Sequence, residues 1–178
     1  MKKVKLFAYL LVYLFAVSAC DNDDNDDNLV GEMDRNFVIA AADGGMLEVR
    51  LGEMAQERGM SQSVKAFGQM MVDDHTKANN EIMSIASSKG INFPATLSTA
   101  KQQKVDSLMA RQGMAFDSTF ANMMINSHKE TIALFQNQNG TGRDAELTNW
   151  AAGKLPALQQ HLNGAMMLRD SIRNMTNP

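Results

Sequence analysis

The spacing of apolar residues constrains this chain more than any other feature of its sequence. From Asp34 onward these residues recur at intervals of three and four, and no stretch alternates apolar and polar residues with β-branched enrichment. Intervals of three and four place side chains on one face of an α-helix, whereas strands need a period of two. The sequence therefore predicts an all-helical domain, and its 178 residues suit one domain of ordinary size.

Capping and breaking residues divide the helical part into four long segments and a short one. The second segment begins at Ser61 or Ser63, and Pro156 is expected to kink the last. A short third segment between two helical pairs predicts a ferritin-like four-helix bundle with a crossover helix. A simple up-down bundle with a fifth helix is the alternative. The predicted segments are 34–59, 61–90, 98–111, 115–136 and 144–173.

The start of the chain has the pattern of an export signal. Three lysines precede an apolar run over 6–17, which is shorter than the roughly 20 residues that span a bilayer. The following Val17-Ser18-Ala19-Cys20 resembles the lipobox of bacterial lipoproteins. This resemblance implies that residues 1–19 are a removed signal peptide and that Cys20 is acylated as the membrane anchor. An ordinary cleaved signal with a spare thiol is the alternative.

Residues 20–33 are expected to be an acidic tether. Five aspartates lie within 21–27, with nothing to bury. The run serves as a spacer, or as the acidic export signal that it resembles in surface lipoproteins of the Bacteroidota. An EF-hand is disfavoured because its glycine and distal Glu are missing. We expect a protein secreted across the inner membrane and lipid-anchored in the outer membrane, on its periplasmic face or the cell surface.

Composition excludes several classes of function. A net charge of -3 without a lysine or arginine run disfavours nucleic-acid binding, and one cysteine excludes cysteine-based zinc sites. No Gly-x-Ser-x-Gly elbow or Gly-rich phosphate loop is present, so no enzyme class emerges. No Glu-x-x-His occurs either, which makes the di-iron chemistry of ferritin-like proteins unlikely.

Two nonamers, 67–75 and 120–128, share the pattern Phe-x-x-Met-Met-Val/Ile-x-x-His. Met71 with His75, and Met124 with His128, are four residues apart and so share a helix face. If the two helices are parallel, both histidines lie near one level. Two thioethers with two imidazoles suit Cu(I). Methionine also fills irregular gaps in helical cores, and packing is the favoured explanation.

Glu48 and His161 are the other candidates for this site. Reflecting His75 through a turn near Met60 lands at Gly45, less than one turn from Glu48, where Gly44 and Gly45 are expected to leave open space. Reflecting His128 through a turn near Gly140 instead leaves His161 nine residues away, about 13 Å along the helix. The sequence thus predicts a cluster of Glu48, His75 and His128, with His161 only a possible addition.

Several of these residues also carry a family resemblance. The chain looks like the bacterial domain-of-unknown-function family 4142 over Phe37 to Ile172. This likeness implies a ferritin-like fold and an envelope protein without an established activity. The last two long helices also loosely resemble family 305, some members of which are suspected of handling copper. The residues that carry the first resemblance are 37–42, Gly44, Gly45, Glu48, 64–67, 71–75, Phe116, Asp117, His128, Leu155, Pro156 and His161.

Two functions follow as hypotheses. The first is a lipid-anchored envelope protein whose bundle, over 34–178, has a structural or interaction role with an unidentified protein partner. The alternative is a copper-binding envelope protein that uses His75, His128, Met71, Met124 and Glu48. An enzyme ranks last, because no nucleophile emerges and the di-iron pattern is missing.

Overall fold

The computed structural model describes residues 31–176. The predicted signal peptide, Cys20 and most of the acidic tether lie outside these residues. Within them the chain forms five α-helices and no strand. The helices are α1 (Glu32–Arg58), α2 (Gln62–Ser88), α3 (Thr99–Met109), α4 (Gly113–Thr141) and α5 (Ala145–Thr176).

The all-helical prediction is confirmed, and the architecture is the ferritin-like bundle with a short crossover helix. Helices α1 and α2 pack as one antiparallel pair and α4 and α5 as the other, while α1 also contacts α4 and α2 contacts α5. The pairs are joined through α3, which packs on α1 and α4. None of the described helices combines the length and the hydropathy needed to cross a membrane.

Helix starts follow the capping signals. The Ser61 and Ser98 side chains accept hydrogen bonds from backbone N–H groups of α2 and α3, and Asp144 accepts one from Leu147 N at 2.9 Å. Each satisfies a donor that the first helical turn leaves free. At the other end of α2, Gly90 adopts a φ of +64°, a left-handed conformation that glycine reaches without strain.

Two predicted boundaries are wrong. Asp34 does not cap α1, which begins two residues earlier and places Asp34 in its first turn. The fourth helix continues past Gln136 and Gly140 to Thr141. A glycine inside a helix costs only about 1 kcal/mol relative to alanine, and this last turn is held by Thr141 Oγ1, which donates to Asn137 O at 2.8 Å.

Two buried aspartates fasten each helical pair to the turn of the other. Asp117, near the start of α4, accepts hydrogen bonds from Met60 N and Ser61 N in the α1–α2 turn, at 2.9 and 3.0 Å. Asp34 accepts hydrogen bonds from Gln138 Nε2 and from the backbone N–H groups of Arg143 and Asp144 in the α4–α5 turn. Both turns are therefore fixed by charge-assisted bonds.

Glycine brings α1 and α2 close together. A Cβ added to Gly52 would lie 2.7 Å from the carbonyl oxygen of Gly68, and one added to Gly68 would lie 2.7 Å from that of Gly52. Since no real Cβ approaches a backbone oxygen so closely, neither position admits a side chain without the helices moving apart. This contact lies one turn beyond Glu48 and sets the spacing at which Glu48 meets α2.

The core consists of two apolar clusters with a polar layer between them. One cluster contains Leu51, Met71 and Phe120, and the other contains Phe37 and Phe135. Along α2, α4 and α5, one cluster ends and the other begins around residues 75, 128 and 161. The fold therefore buries these three positions in the middle of the bundle.

Candidate metal centre

Each of the four long helices contributes one buried titratable residue to this layer. Glu48 comes from α1, His75 from α2, His128 from α4 and His161 from α5. Glu48 and His128 are fully buried, and His75 and His161 are 6% and 5% exposed. Charged and imidazole groups are rarely buried so deeply without partners, so the contacts of each one determine what the layer can do.

The three imidazoles form a compact triangle. Their ring centroids are 5.6 Å apart for His75 and His128, 5.4 Å for His75 and His161, and 5.3 Å for His128 and His161. One ring nitrogen from each histidine lies within 4.8 Å of the corresponding atoms of the other two. Three nitrogen donors from three different helices therefore converge on one point of the bundle.

Each imidazole has an acceptor beside one of its nitrogens. Nδ1 of His128 donates to Met124 O at 2.8 Å, and Nε2 of His161 donates to Oδ2 of Asp74 at 2.8 Å. Nδ1 of His75 lies 3.0 Å from Oε2 of Glu48, although the two atoms are not aligned as a hydrogen bond. An acceptor at one nitrogen places the proton there in the neutral ring, which leaves the other nitrogen with a free lone pair.

The second nitrogen of each imidazole has no hydrogen-bond partner among the described residues. Nε2 of His75, Nε2 of His128 and Nδ1 of His161 are buried and make no hydrogen bond within the described residues. Leaving a buried polar atom unsatisfied costs about 1–3 kcal/mol. Three such atoms in one layer have the chemistry of an imidazole ligand set, in which the second nitrogen of each ring is held by an outer acceptor.

Glu48 supports two of the rings at once. Its Oε2 faces Nδ1 of His75, and its Oε1 lies 3.6 Å from Nδ1 of His128. Ser127 donates its hydroxyl to the same Oε1 at 2.8 Å. The carboxylate thus approaches the Nδ1 edges of both imidazoles and leaves their Nε2 atoms facing away from it.

Burial and charge set the protonation of these groups. Burial raises the pKa of Glu48, but the imidazoles of His75 and His128 and the Ser127 hydroxyl lower it further, so the net pKa is below its usual value. Burial lowers the pKa of His75 more than Glu48 raises it. Burial likewise lowers the pKa of His161 more than the bond to Asp74 raises it. Near neutral pH Glu48 is an anion, and His75 and His161 are neutral bases able to coordinate a cation.

The expected offset of His161 is wrong. Because α4 extends to Thr141 and α5 begins at Ala145, the turn is centred near Arg143 and not near Gly140. Reflection of His128 through Arg143 falls at residue 158, three residues from His161, or about 4.5 Å along the helix. A tilt of the helices and a long side chain readily span that distance, so His161 joins the cluster.

Met71 and Met124, each four residues before a histidine of the site, pack in the apolar core. Both side chains are fully buried in the first apolar cluster. Met124 contributes its backbone carbonyl to the site, through His128. The amide of Asn79 fills the space directly over Gly45, where a Cβ would overlap it, but Gly45 and His75 still line one cavity, so the expected open space is present in part.

A cavity of about 210 Å³ adjoins the histidine triangle. His75 and His161 line one side of it, and Phe135, Trp150 and Leu158 form apolar walls. Its other lining residues include Glu48, Asp74, Lys77, Asn79, Thr131 and Lys154. Apart from Gly45, which is one of its lining residues, the sequence contains no signal for this cavity, because it arises between helices that are distant along the chain.

Two supporting residues were not assigned from sequence. Ser127 belongs to no sequence motif, and its hydroxyl reaches Glu48 on α1. Asp74 neighbours His75 but supports His161 on α5. Pairing across helices is a property of helix rotation, which spacing within one helix does not reveal.

The architecture is similar to that of one solved structure. The crystal structure of a DUF305 fragment from Deinococcus radiodurans has a TM-score of 0.71 with this chain at 12% identity, and the match covers 80% of this chain and 99% of that one. At this identity the likeness concerns the fold. No curated protein matches the chain.

The family is shown by the sequence itself. The family model described as "Domain of unknown function (DUF4142)" matches residues 21–168. That span begins at residue 21 and includes the bundle as far as the second half of α5. The match confirms the resemblance found in the sequence, and the chain belongs to the DUF4142 family.

Proposed function

We propose that this chain is a lipid-anchored envelope protein whose bundle binds one transition-metal ion, copper in preference, through His75, His128 and His161. One observation carries the proposal: each of the three imidazoles brings a ring nitrogen within 4.8 Å of the others, and each ring has one buried nitrogen without a partner while an acceptor lies beside its other nitrogen. A metal ion satisfies all three at once.

The donor set selects the class of ion. Neutral imidazoles suit copper, zinc, iron and nickel, whereas magnesium and calcium prefer oxygen ligands. Among divalent first-row ions the intrinsic affinity of a nitrogen site is highest for Cu²⁺. Ligands at about 2.0 Å require nitrogens about 3.5 Å apart, a spacing that falls within the 4.8 Å that encloses one nitrogen of each ring.

The competing explanation is a buried polar layer that only stabilises the fold. Hydrogen bonds to Glu48, Asp74 and a carbonyl explain one nitrogen of each ring. They do not explain why each of the three clustered rings has a second, buried nitrogen with no partner. Layers that serve only stability have their polar atoms paired, so the arrangement favours a ligand.

The proposed address rests on the sequence. Cys20, preceded by small residues and an apolar run, receives the lipid, and the acidic run after it holds the bundle away from the membrane. Globomycin, which blocks lipoprotein signal cleavage, tests this directly. Accumulation of a larger precursor and membrane release of Cys20→Ser support the anchor, and unchanged processing of both contradicts it.

Metal content and affinity test the central proposal. The purified full-length protein in detergent is expected to bind one equivalent of Cu(II) or Cu(I), with zinc weaker, and His75→Gln/His128→Gln is expected to lose this binding. A double variant, Met71→Leu/Met124→Leu, is the matched control and is expected to retain it. Circular dichroism verifies that both variants fold. Binding by the histidine variant equal to that of the unchanged protein would refute the site and leave a structural bundle.

A further inference from the structure

The cavity beside the histidine triangle has no role in holding the ion, although two of the three proposed ligands line it. Resting on the proposed metal site, we propose that the metal-loaded protein takes a small monoanion from this cavity as the ligand that completes the ion's coordination.

The first step is that the ion keeps an open position. The described residues offer three free imidazole nitrogens, whereas Oε2 of Glu48, which makes no hydrogen bond, lies at the Nδ1 edge of His75 and not at its free Nε2. Asp74 bonds Nε2 of His161, and the two oxygens of Glu48 face the Nδ1 edges of His75 and His128. Three protein ligands with a free fourth position are the arrangement of metal sites that bind an exchangeable ligand.

The second step is that the cavity has the size for such a ligand. A water molecule occupies about 30 Å³ of liquid, so 210 Å³ holds a few waters or one molecule of several heavy atoms. The amide of Asn79 and the hydroxyl of Thr131 are available along the lining, between apolar walls. A small ligand with one polar end fits this mixture, with its polar end at the ion.

Metal binding would change the net charge of the cavity lining. Two carboxylates, Glu48 and Asp74, and two lysines, Lys77 and Lys154, line the cavity, so the lining is formally neutral before an ion binds. A divalent ion gives it an excess of two positive charges. Because the interior strengthens electrostatic interactions relative to water, the loaded cavity attracts an anion and the metal-free cavity does not.

Azide is the probe. The full-length protein loaded with Cu(II) is titrated with azide while the visible spectrum and the electron paramagnetic resonance of the copper are followed. One azide per copper is expected, in a saturable transition that excess competing chloride weakens. Stoichiometric copper whose spectra do not respond to azide would overturn the inference and leave the metal site intact, whereas absence of copper binding would overturn the proposed function itself.

Cavity variants locate the ligand. Ala78→Leu adds volume to the cavity from α2 and is expected to weaken azide binding about tenfold or more, because the leucine occupies the space that the anion needs, with copper stoichiometry unchanged. Ala66→Leu, on the solvent side of the same helix, is the matched control and is expected to leave azide affinity unchanged. Lys154→Gln is the second variant, expected to weaken azide a few-fold. Unchanged azide affinity in both Ala78→Leu and Lys154→Gln would place the anion elsewhere and refute the inference.

Discussion

Asp74 and His161 are joined by a bond of 2.8 Å between Oδ2 and Nε2, across the interface of α2 and α5. This carboxylate differs from the other one in the layer, because the Asp74 side chain is 55% exposed while that of Glu48 is fully buried. His161 is therefore the proposed ligand whose supporting acceptor reaches solvent. We infer that the ion enters and leaves on this side.

Asp74→Ala is accordingly expected to weaken copper binding about 10- to 100-fold, the usual effect of removing an outer acceptor of a ligating histidine. Most of the change is expected in the dissociation rate, measured by transfer of the metal to a chromophoric chelator. Asp73→Ala is the control, since Asp73 is exposed and accepts a hydrogen bond from Gln69 on its own helix. Equal affinities for the two variants would show that Asp74 does not orient His161.

Glu48→Gln is expected to lower both metal affinity and stability. The amide keeps the size of the carboxylate but not its charge, so it supports the His75 and His128 rings less strongly and offsets less of the bound ion's charge. We expect about tenfold weaker copper binding by competition titration. Glu53→Gln, on the exposed side of α1 beside Arg50, should leave the affinity unchanged. A larger loss for Glu53→Gln than for Glu48→Gln would contradict the assigned role.

Much of the fold, but only part of the site, could be predicted from the sequence. Spacing and capping residues are local, and Ser61, Ser98 and Asp144 act where the sequence placed them. In an antiparallel pair of helices, the residue that lies opposite a given side chain depends on where the turn between the two helices is centred. Moving the turn centre from Gly140 to Arg143 shifts the reflected position of His128 by six residues, about 9 Å, which is why His161 was placed too far away.

The position of the turn between α1 and α2 could be predicted more accurately than that of the turn between α4 and α5. Gly59 ends α1 and Ser61 caps α2, so the turn was located closely and Glu48 was correctly brought beside His75. The position of a turn does not reveal how each helix is rotated about its own axis. Helix rotation determines that Ser127 reaches Glu48, and that Met71 and Met124 pack in the apolar cluster next to the histidine layer.

The stability of the metal-free protein is expected to fall as the pH drops. His75 and His161 have lowered pKa values in the folded protein, so the unfolded chain takes up protons first, beginning near its ordinary histidine pKa of about 6.5. Their contribution is therefore complete above that pH and is lost below it, by up to about 1.4 kcal/mol per pH unit for each histidine. The lowered pKa of Glu48 adds a second loss at more acidic pH.

Urea unfolding of the metal-free protein at pH 7.5, 6.5 and 5.5 measures this slope. His75→Gln/His161→Gln removes both titrating rings and is expected to flatten the dependence between these values, whatever its absolute stability. A slope as steep in that variant as in the unchanged protein would assign the pH sensitivity to other groups.

Asp117→Ala is expected to destabilise the bundle without altering its metal site. The fully buried carboxylate accepts two backbone hydrogen bonds from the α1–α2 turn, and its removal leaves Met60 N and Ser61 N without their acceptor, at a cost of about 1–3 kcal/mol. Asp106→Ala, which removes an exposed carboxylate contacting Gln102 on α3, should change the free energy of unfolding by less than about 0.5 kcal/mol.

The metal site of Asp117→Ala is expected to be unaffected, because Asp117 lies in the first turns of α4, about three turns before His128. At a temperature where the variant is folded, its copper stoichiometry and affinity are expected to match those of the unchanged protein. A loss of copper affinity in folded Asp117→Ala would show that the position of the α1–α2 turn controls the histidine triangle.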